Sequence, residues 1–93
     1  MSSTCEHLKD KNSQNIIPKS NYVKFECEEC IKIKSWWAHL RICQTCGKML
    51  CCDSSPNKHA TKHFLESGHE VISSAEMGEK WLYCYKDQLM KEY

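Results

Sequence analysis

Along residues 31–43, IKIKSWWAHLRIC, apolar and polar side chains alternate: Ile31 and Ile33 against Lys32 and Lys34, then Trp37, His39 and Arg41 against Ala38, Leu40 and Ile42. Alternation is the period of a half-buried strand, so the pattern predicts a strand over this run. The preceding YVKFECEEC (22–30) starts with the same alternation and ends in a Cys-x2-Cys turn. CQTCGKMLC (43–51) reads as a tight knuckle, with Gly47 supplying the left-handed backbone that such turns often adopt. Residues 53–67, ending PNKHATKHFLES, then read as a loop followed by a short helix. Asn57 is its candidate N-cap, Ala60, His63 and Phe64 share helical spacing, and Gly68 is the stop. HEVISS and KWLYCY return to strand around a turn at Gly78, and KDQLMKEY reads as a last helical turn or a frayed end. Residues 8–21, LKDKNSQNIIPKSN, are polar, broken by Pro18 and without period, which predicts a surface loop. The fold class that follows is α+β: a small domain with an antiparallel sheet, one or two short helices and loops rich in cysteine and histidine.

Composition changes this picture at one point. With 93 residues there is room for one core, so 1–93 is read as a single domain, its body over 5–87 and a tail over 88–93. The formal net charge is +1, from 13 basic and 12 acidic residues, so no strong pull toward nucleic acid or anionic lipid is written into the chain. MSSTCEHLKDKNSQ lacks an apolar core of the signal-peptide kind, and no apolar run is long enough to span a bilayer. A soluble cytoplasmic monomer is the expectation. Eight cysteines in so short a chain, without a signal peptide, suggest metal rather than disulfides. The five histidines strengthen that reading, because a disulfide framework has no use for imidazoles at set offsets from cysteine.

Zinc takes four tetrahedral ligands, and a Cys-x2-Cys turn presents two sulfurs on one side of the backbone. Two such turns occur, Cys27/Cys30 and Cys43/Cys46, and Cys51 follows the second. His59 and His63 are four apart on the expected helix, so both rings lie on one face, and His69 comes six residues later. Cys5 and His7 open the chain, and Cys84 stands near its end. Spacing suggests a finger of Cys43, Cys46, His59 and His63, leaving Cys27, Cys30, Cys51 and His69 for a second site. Spacing identifies the ligand pool and leaves the partition open. Cys52 is surplus and reads as a free, partly buried thiol; His39 reads as a polar strand side chain. Trp36 or Trp37, together with Trp81, is assigned to the core, as a small domain needs large apolar side chains.

In order, these residues resemble the ubiquitin-specific-protease-type (UBP-type) zinc finger, in the style of its small stand-alone prokaryotic members. The string runs Cys-x-His, Cys-x2-Cys, an aromatic segment into Cys-x2-Cys-x4-Cys, His-x3-His, Gly-His, and an aromatic-Cys-aromatic close. The resemblance implies a zinc-stabilised fold with interleaved sites: one zinc on Cys27, Cys30, Cys51 and His59, a second on Cys43, Cys46, His63 and His69. It further implies a third on Cys5, His7, Cys84 and the residue three beyond. That residue is Asp87 here, where eukaryotic members often have cysteine, and a carboxylate is an acceptable zinc ligand.

Three functional classes then compete. Ubiquitin-binding members of the family capture a free C-terminal Gly-Gly beside the zinc sites, which implies a non-catalytic module for a peptide or protein tail. Those members use an arginine just after the equivalent of Cys51, an aromatic residue two before Cys43 and a tryptophan before Cys84. This chain has Cys52-Asp53, Arg41 and Tyr83 there. Asp53 has the wrong sign for a carboxylate ligand, so ubiquitin is disfavoured as the partner. Arg41 is the replacement cation, with Tyr83 and Tyr85 framing the slot. An enzyme would need an open zinc position, which Cys5, His7 and Cys84 would supply without Asp87, but no motif marks a general base. A nucleic-acid-binding finger would need a basic helix, and HATKHFLES carries Lys62 against Glu66.

Overall fold

The computed structural model describes Leu8, Lys11 and residues 16–93. Among them, five strands form one antiparallel sheet: β1 (Leu40–Cys43), β2 (Met49–Cys51), β3 (Val71–Ser74), β4 (Trp81–Cys84) and β5 (Leu89–Glu92). Their spatial order is β2-β1-β3-β4-β5. Helix α1 (Glu28–Lys32) precedes β1, and α2 (His59–Ser67) connects β2 to β3. Because β1 lies between them, α2 must carry the chain past it. Pairing places Leu40 opposite Cys51 on one side of β1 and Ile42 opposite Ser73 on the other.

The strand expected over 31–43 is confined to its last four residues. The Cys27 Sγ accepts the Cys30 amide at 3.4 Å and caps α1, whose first turn holds Glu28 and Glu29 at its positive end. Lys34 then adopts a left-handed conformation, φ +56°, which interrupts any extended run. Ile31 and Ile33 alternate in sequence yet both are exposed, so their periodicity has no sheet beneath it. Asn57 does not cap α2 either. Lys58 stands before the helix in the left-handed region, and the His59 amide donates to Cys51 Sγ at 3.1 Å. The C-terminal stop is as expected: Gly68, φ +79°, closes α2 by donating to the Phe64 carbonyl at 2.8 Å.

One hydrophobic cluster joins Leu40, Ile42, Met49, Leu50, Ala60 and Ala75 to the sulfurs of Cys27, Cys30 and Cys51, with Ile17, Tyr22 and Trp37 against it. Trp37 is thus the core tryptophan, and Trp36 is exposed. A second cluster joins Leu8, Val71, Leu82 and Cys84, with Ile16, Leu89 and Tyr93 packed on it. Burial of a leucine to this degree contributes about 2 kcal/mol. Two sequence expectations yield here. The segment 8–21 supplies Leu8 to the interior, and the Gln44 side chain binds the Ile17 backbone through its Oε1 (2.7 Å) and Nε2 (3.2 Å). The 88–93 tail is β5, which closes on β4 because Gln88 takes a left-handed turn conformation (φ +55°) and donates to the Cys84 carbonyl.

Strand parity then sorts the sheet into two faces. Leu82 and Cys84 point to the interior, whereas Trp81 and Tyr83 are half-exposed on the other face. Ile72, Tyr83 and Met90 lie opposite one another across β3, β4 and β5. Trp81, assigned to the core from sequence, belongs to this outer row. Among the described residues no helix is long and apolar enough to cross a membrane.

Candidate metal centres and the adjoining cavity

Cys27 and Cys30 bracket the start of α1, Cys51 ends β2, and His59 opens α2. These four residues converge. The His59 Nδ1 is 3.4 Å from Cys27 Sγ, 3.3 Å from Cys30 Sγ and 3.4 Å from Cys51 Sγ. Cys30 and Cys51 sulfurs are 3.8 Å apart. A tetrahedral ion with bonds of about 2.3 Å to sulfur and about 2.0 Å to nitrogen requires S···S edges of about 3.8 Å and S···N edges of about 3.5 Å. The donor set and its spacing therefore fit such an ion. Burial pushes the Cys30 thiol up to about 12, with neighbouring Cys27 and Cys51 adding to the effect, and raises Cys51 as well. A divalent cation supplies the charge that lets such thiols ionise. The amides of Cys30 and His59 donate to the Cys27 and Cys51 sulfurs, and Asn57 Nδ2 donates to Cys30 Sγ at 3.7 Å.

A second group is Cys43, Cys46, His63 and His69. The Cys43 Sγ lies 3.6 Å from His69 Nδ1, Cys46 Sγ lies 3.3 Å from His63 Nε2, and the two imidazole nitrogens are 3.2 Å apart. These are again tetrahedral edges, with nitrogen replacing sulfur at two corners. The knuckle is held by Gly47, φ +82°, whose amide donates to the Cys43 carbonyl at 2.8 Å and whose carbonyl accepts the Tyr22 hydroxyl. The structure thus groups the ligand pool in interleaved fashion, and the finger suggested by spacing, Cys43/Cys46/His59/His63, is not the one assembled. The first set has its three cysteines fully buried, whereas Cys46 of the second is exposed.

Of the remaining ligand candidates, Cys5 and His7 lie outside the described residues. Cys84 is buried beside Leu8, and Asp87 is exposed in the turn between β4 and β5. His39 is exposed just before β1. Cys52 is buried, with its sulfur 3.7 Å from Ser55 Oγ. Burial would raise this thiol, but hydrogen bonds from the Ser54 amide, Ser55 and His39 bring it down to about 7.

Next to the first cluster, a cavity of about 400 Å³ opens between the outer row of the sheet and the start of α2. Arg41, Asp53, Thr61, Trp81, Tyr83 and Tyr85 are in its wall. The Arg41 guanidinium stacks on the Trp81 ring, 4.7 Å from its centroid, and donates to the Leu40 carbonyl at 2.9 Å. Nearby Glu79 is instead engaged by the Ser74 hydroxyl. Tyr83 meets Tyr85 edge-on at 5.3 Å, and Tyr85 stacks on Phe64 of α2 at 4.9 Å. Burial pushes the Tyr85 phenol up to about 12, Asp53 adding to it and Thr61 and Arg41 opposing. The Thr61 hydroxyl donates to Asp53 Oδ1.

The sequence profile of the family described as "Zn-finger in ubiquitin-hydrolases and other protein" matches residues 27–92. The chain belongs to this family. It is 31% identical over 81 residues to ubiquitin carboxyl-terminal hydrolase 44 of Ailuropoda melanoleuca, covering 87% of this chain and 10% of that protein. The chain therefore spans about a tenth of the length of that relative. A solution NMR structure of protein RPA1320 from Rhodopseudomonas palustris superposes with a TM-score of 0.76 at 43% identity, covering 99% of this chain and 84% of that one.

In this UBP-type finger, sequence reasoning missed three contributors. Asn57 supports a ligand sulfur where a helix cap was expected. Trp81 carries Arg41 where a core residue was expected. Thr61 holds Asp53 at the cavity wall. The parity of Trp81 with Tyr83 was the available signal for the second; the other two depend on how α2 docks.

Proposed function

We propose that this domain is a zinc-built, non-catalytic interaction module that receives the free C-terminal tail of a peptide or protein, as a monomer in the cytoplasm. The observation that carries the reading is Arg41. Its guanidinium sits on an aromatic platform in the cavity wall and, among the described residues, has no carboxylate within ion-pair distance. A terminal carboxylate would complete that cation, while Tyr83 and Tyr85 frame the chain behind it.

Zinc is the metal in this reading, because two closed sets of sulfur and nitrogen donors at tetrahedral spacing are what structural zinc takes. Four protein ligands in each set leave no open position for a reactive water, which supports a structural role rather than a catalytic one. A third zinc on Cys5, His7, Cys84 and Asp87 belongs to the proposal, and Leu8 packing with Cys84 supports it. The relative's name points toward a ubiquitin carboxyl terminus. Asp53 stands in the wall where ubiquitin-binding members carry an arginine, so ubiquitin's own tail is the disfavoured partner.

The test is an NMR titration of the zinc-loaded domain with a short Gly-Gly peptide as free acid and as amide. Saturable shifts at Arg41, Tyr83 and Tyr85 with the acid alone are expected. Equal response to both, or none, removes carboxylate capture. Zinc counting by native mass spectrometry settles two against three ions per chain.

A further inference from the structure

The two metal clusters differ in what can reach their sulfurs. Cys27, Cys30 and Cys51 are fully buried and packed into the main hydrophobic cluster. The Cys30 and His59 amides and the Asn57 side chain also donate to those sulfurs. In the second cluster Cys46 is exposed, Cys43 is buried, and His63 and His69 are half-buried. The four ligand atoms of that cluster lie within 4.8 Å of one another, so the Cys43 and Cys46 sulfurs are neighbours within a single knuckle. Oxidants select thiolates by access and by a second thiol close enough to resolve the product. Three thiolates make the first cluster the more electron-rich, and burial is what shields it. The second offers one sulfur to solvent and a partner beside it.

We propose that Cys46 is a modification site for peroxide, with Cys43 as its resolving thiol, and that its oxidation discharges the second ion alone. This rests on the zinc reading above. The Cys46 thiolate attacks one peroxide oxygen: an S–O bond forms, the O–O bond breaks, and the departing hydroxide takes a proton from solvent. The Cys43 thiolate then attacks the Cys46 sulfur, forming the S–S bond, breaking the S–O bond and releasing a second hydroxide, which is also protonated. In sum the two sulfurs lose two electrons, and one hydrogen peroxide with two protons becomes two waters. The ion leaves as Zn²⁺, its oxidation state unchanged. Disulfide and bound ion exclude each other, because joined sulfurs have no thiolate left to give a metal. Release frees His63 on α2 and His69 ahead of β3, while Cys51 and the pairing of β1 with β2 are untouched.

The experiment treats the zinc-loaded chain with hydrogen peroxide, follows free zinc with a chromophoric chelator, and maps thiols and disulfides by differential alkylation and mass spectrometry. Loss of one zinc per chain is expected, in step with a Cys43–Cys46 disulfide, with Cys27, Cys30 and Cys51 still reduced. Dithiothreitol with added zinc should restore the ion. Cys46→His keeps a ligand at that corner without an oxidisable sulfur, so its peroxide-driven zinc loss should disappear; native mass spectrometry counts its ions beforehand. Should that variant not hold the second ion, the thiol map of the native chain decides by itself. Zinc retained after peroxide, zinc lost without the Cys43–Cys46 disulfide, or earlier oxidation at Cys27, Cys30 or Cys51 overturns the proposal. A native chain that takes up no zinc before peroxide removes the zinc reading itself.

Discussion

His59 and His63 sit one turn apart on the same helix, yet each belongs to a different metal cluster, His59 through Nδ1 and His63 through Nε2. Their rings share a helix face, as residues four apart must. The separation comes from what flanks that face: the end of β2 with Cys51 on one side, and the Cys43–Cys46 knuckle with His69 on the other. Helix α2 thereby pins two loops at once.

The two clusters should fail differently. The sulfurs of the first are part of the main hydrophobic cluster, whereas the second reaches the surface at Cys46. His63→Ala is expected to lose one metal equivalent while the sheet persists, and His59→Ala to lose cooperative unfolding altogether. Native mass spectrometry with circular-dichroism melting reads both. An intact melt in His59→Ala would show that the hydrophobic cluster holds without its ion.

Asn57 connects the Ser35 hydroxyl, at 2.7 Å, to the Cys30 sulfur. Removing a donor to a metal-bound thiolate commonly costs about tenfold or more in affinity. Asn57→Ala should therefore release zinc to a competing chelator about ten times more readily than the native chain, with little change in overall fold.

Gln44 is a buried amide whose two ends are both used: it grips the Ile17 backbone and donates to Ser73 Oγ at 2.7 Å. Gln44→Ala strips the Ile17 amide and Ser73 of a partner and should lower stability by about 2 kcal/mol in denaturant titration. Hydrogen exchange should rise at Ile17.

Burial raises Tyr85 to about 12, and Tyr22 and Tyr93 are also raised, burial being the leading cause in each. A phenol whose folded pKa exceeds its unfolded value of about 10 contributes stability that is complete below pH 10 and is lost as pH climbs toward the folded value. Stability should fall between about pH 10 and 12, and Tyr85→Phe should flatten that fall. Melting temperature against pH, followed alongside tyrosinate absorbance, is the check.

The sequence by itself determined the ligand chemistry and most local elements. Cys-x2-Cys spacing, histidines four apart and the Gly47 and Gly68 turns are encoded within a few residues of one another, where short-range geometry decides. It misjudged 31–39, because alternation cannot reveal that the Cys27 side chain has capped a helix that runs into this segment. It also left open β5, whose partner strand is reached only after the Gln88 turn closes. The partition of eight ligands into two sets, the burial of Leu8 and the meeting of Arg41 with Asp53 in one cavity were decided by tertiary structure. Each depends on which distant segments the sheet order and the docking of α2 bring together, and no spacing along the chain specifies that distance.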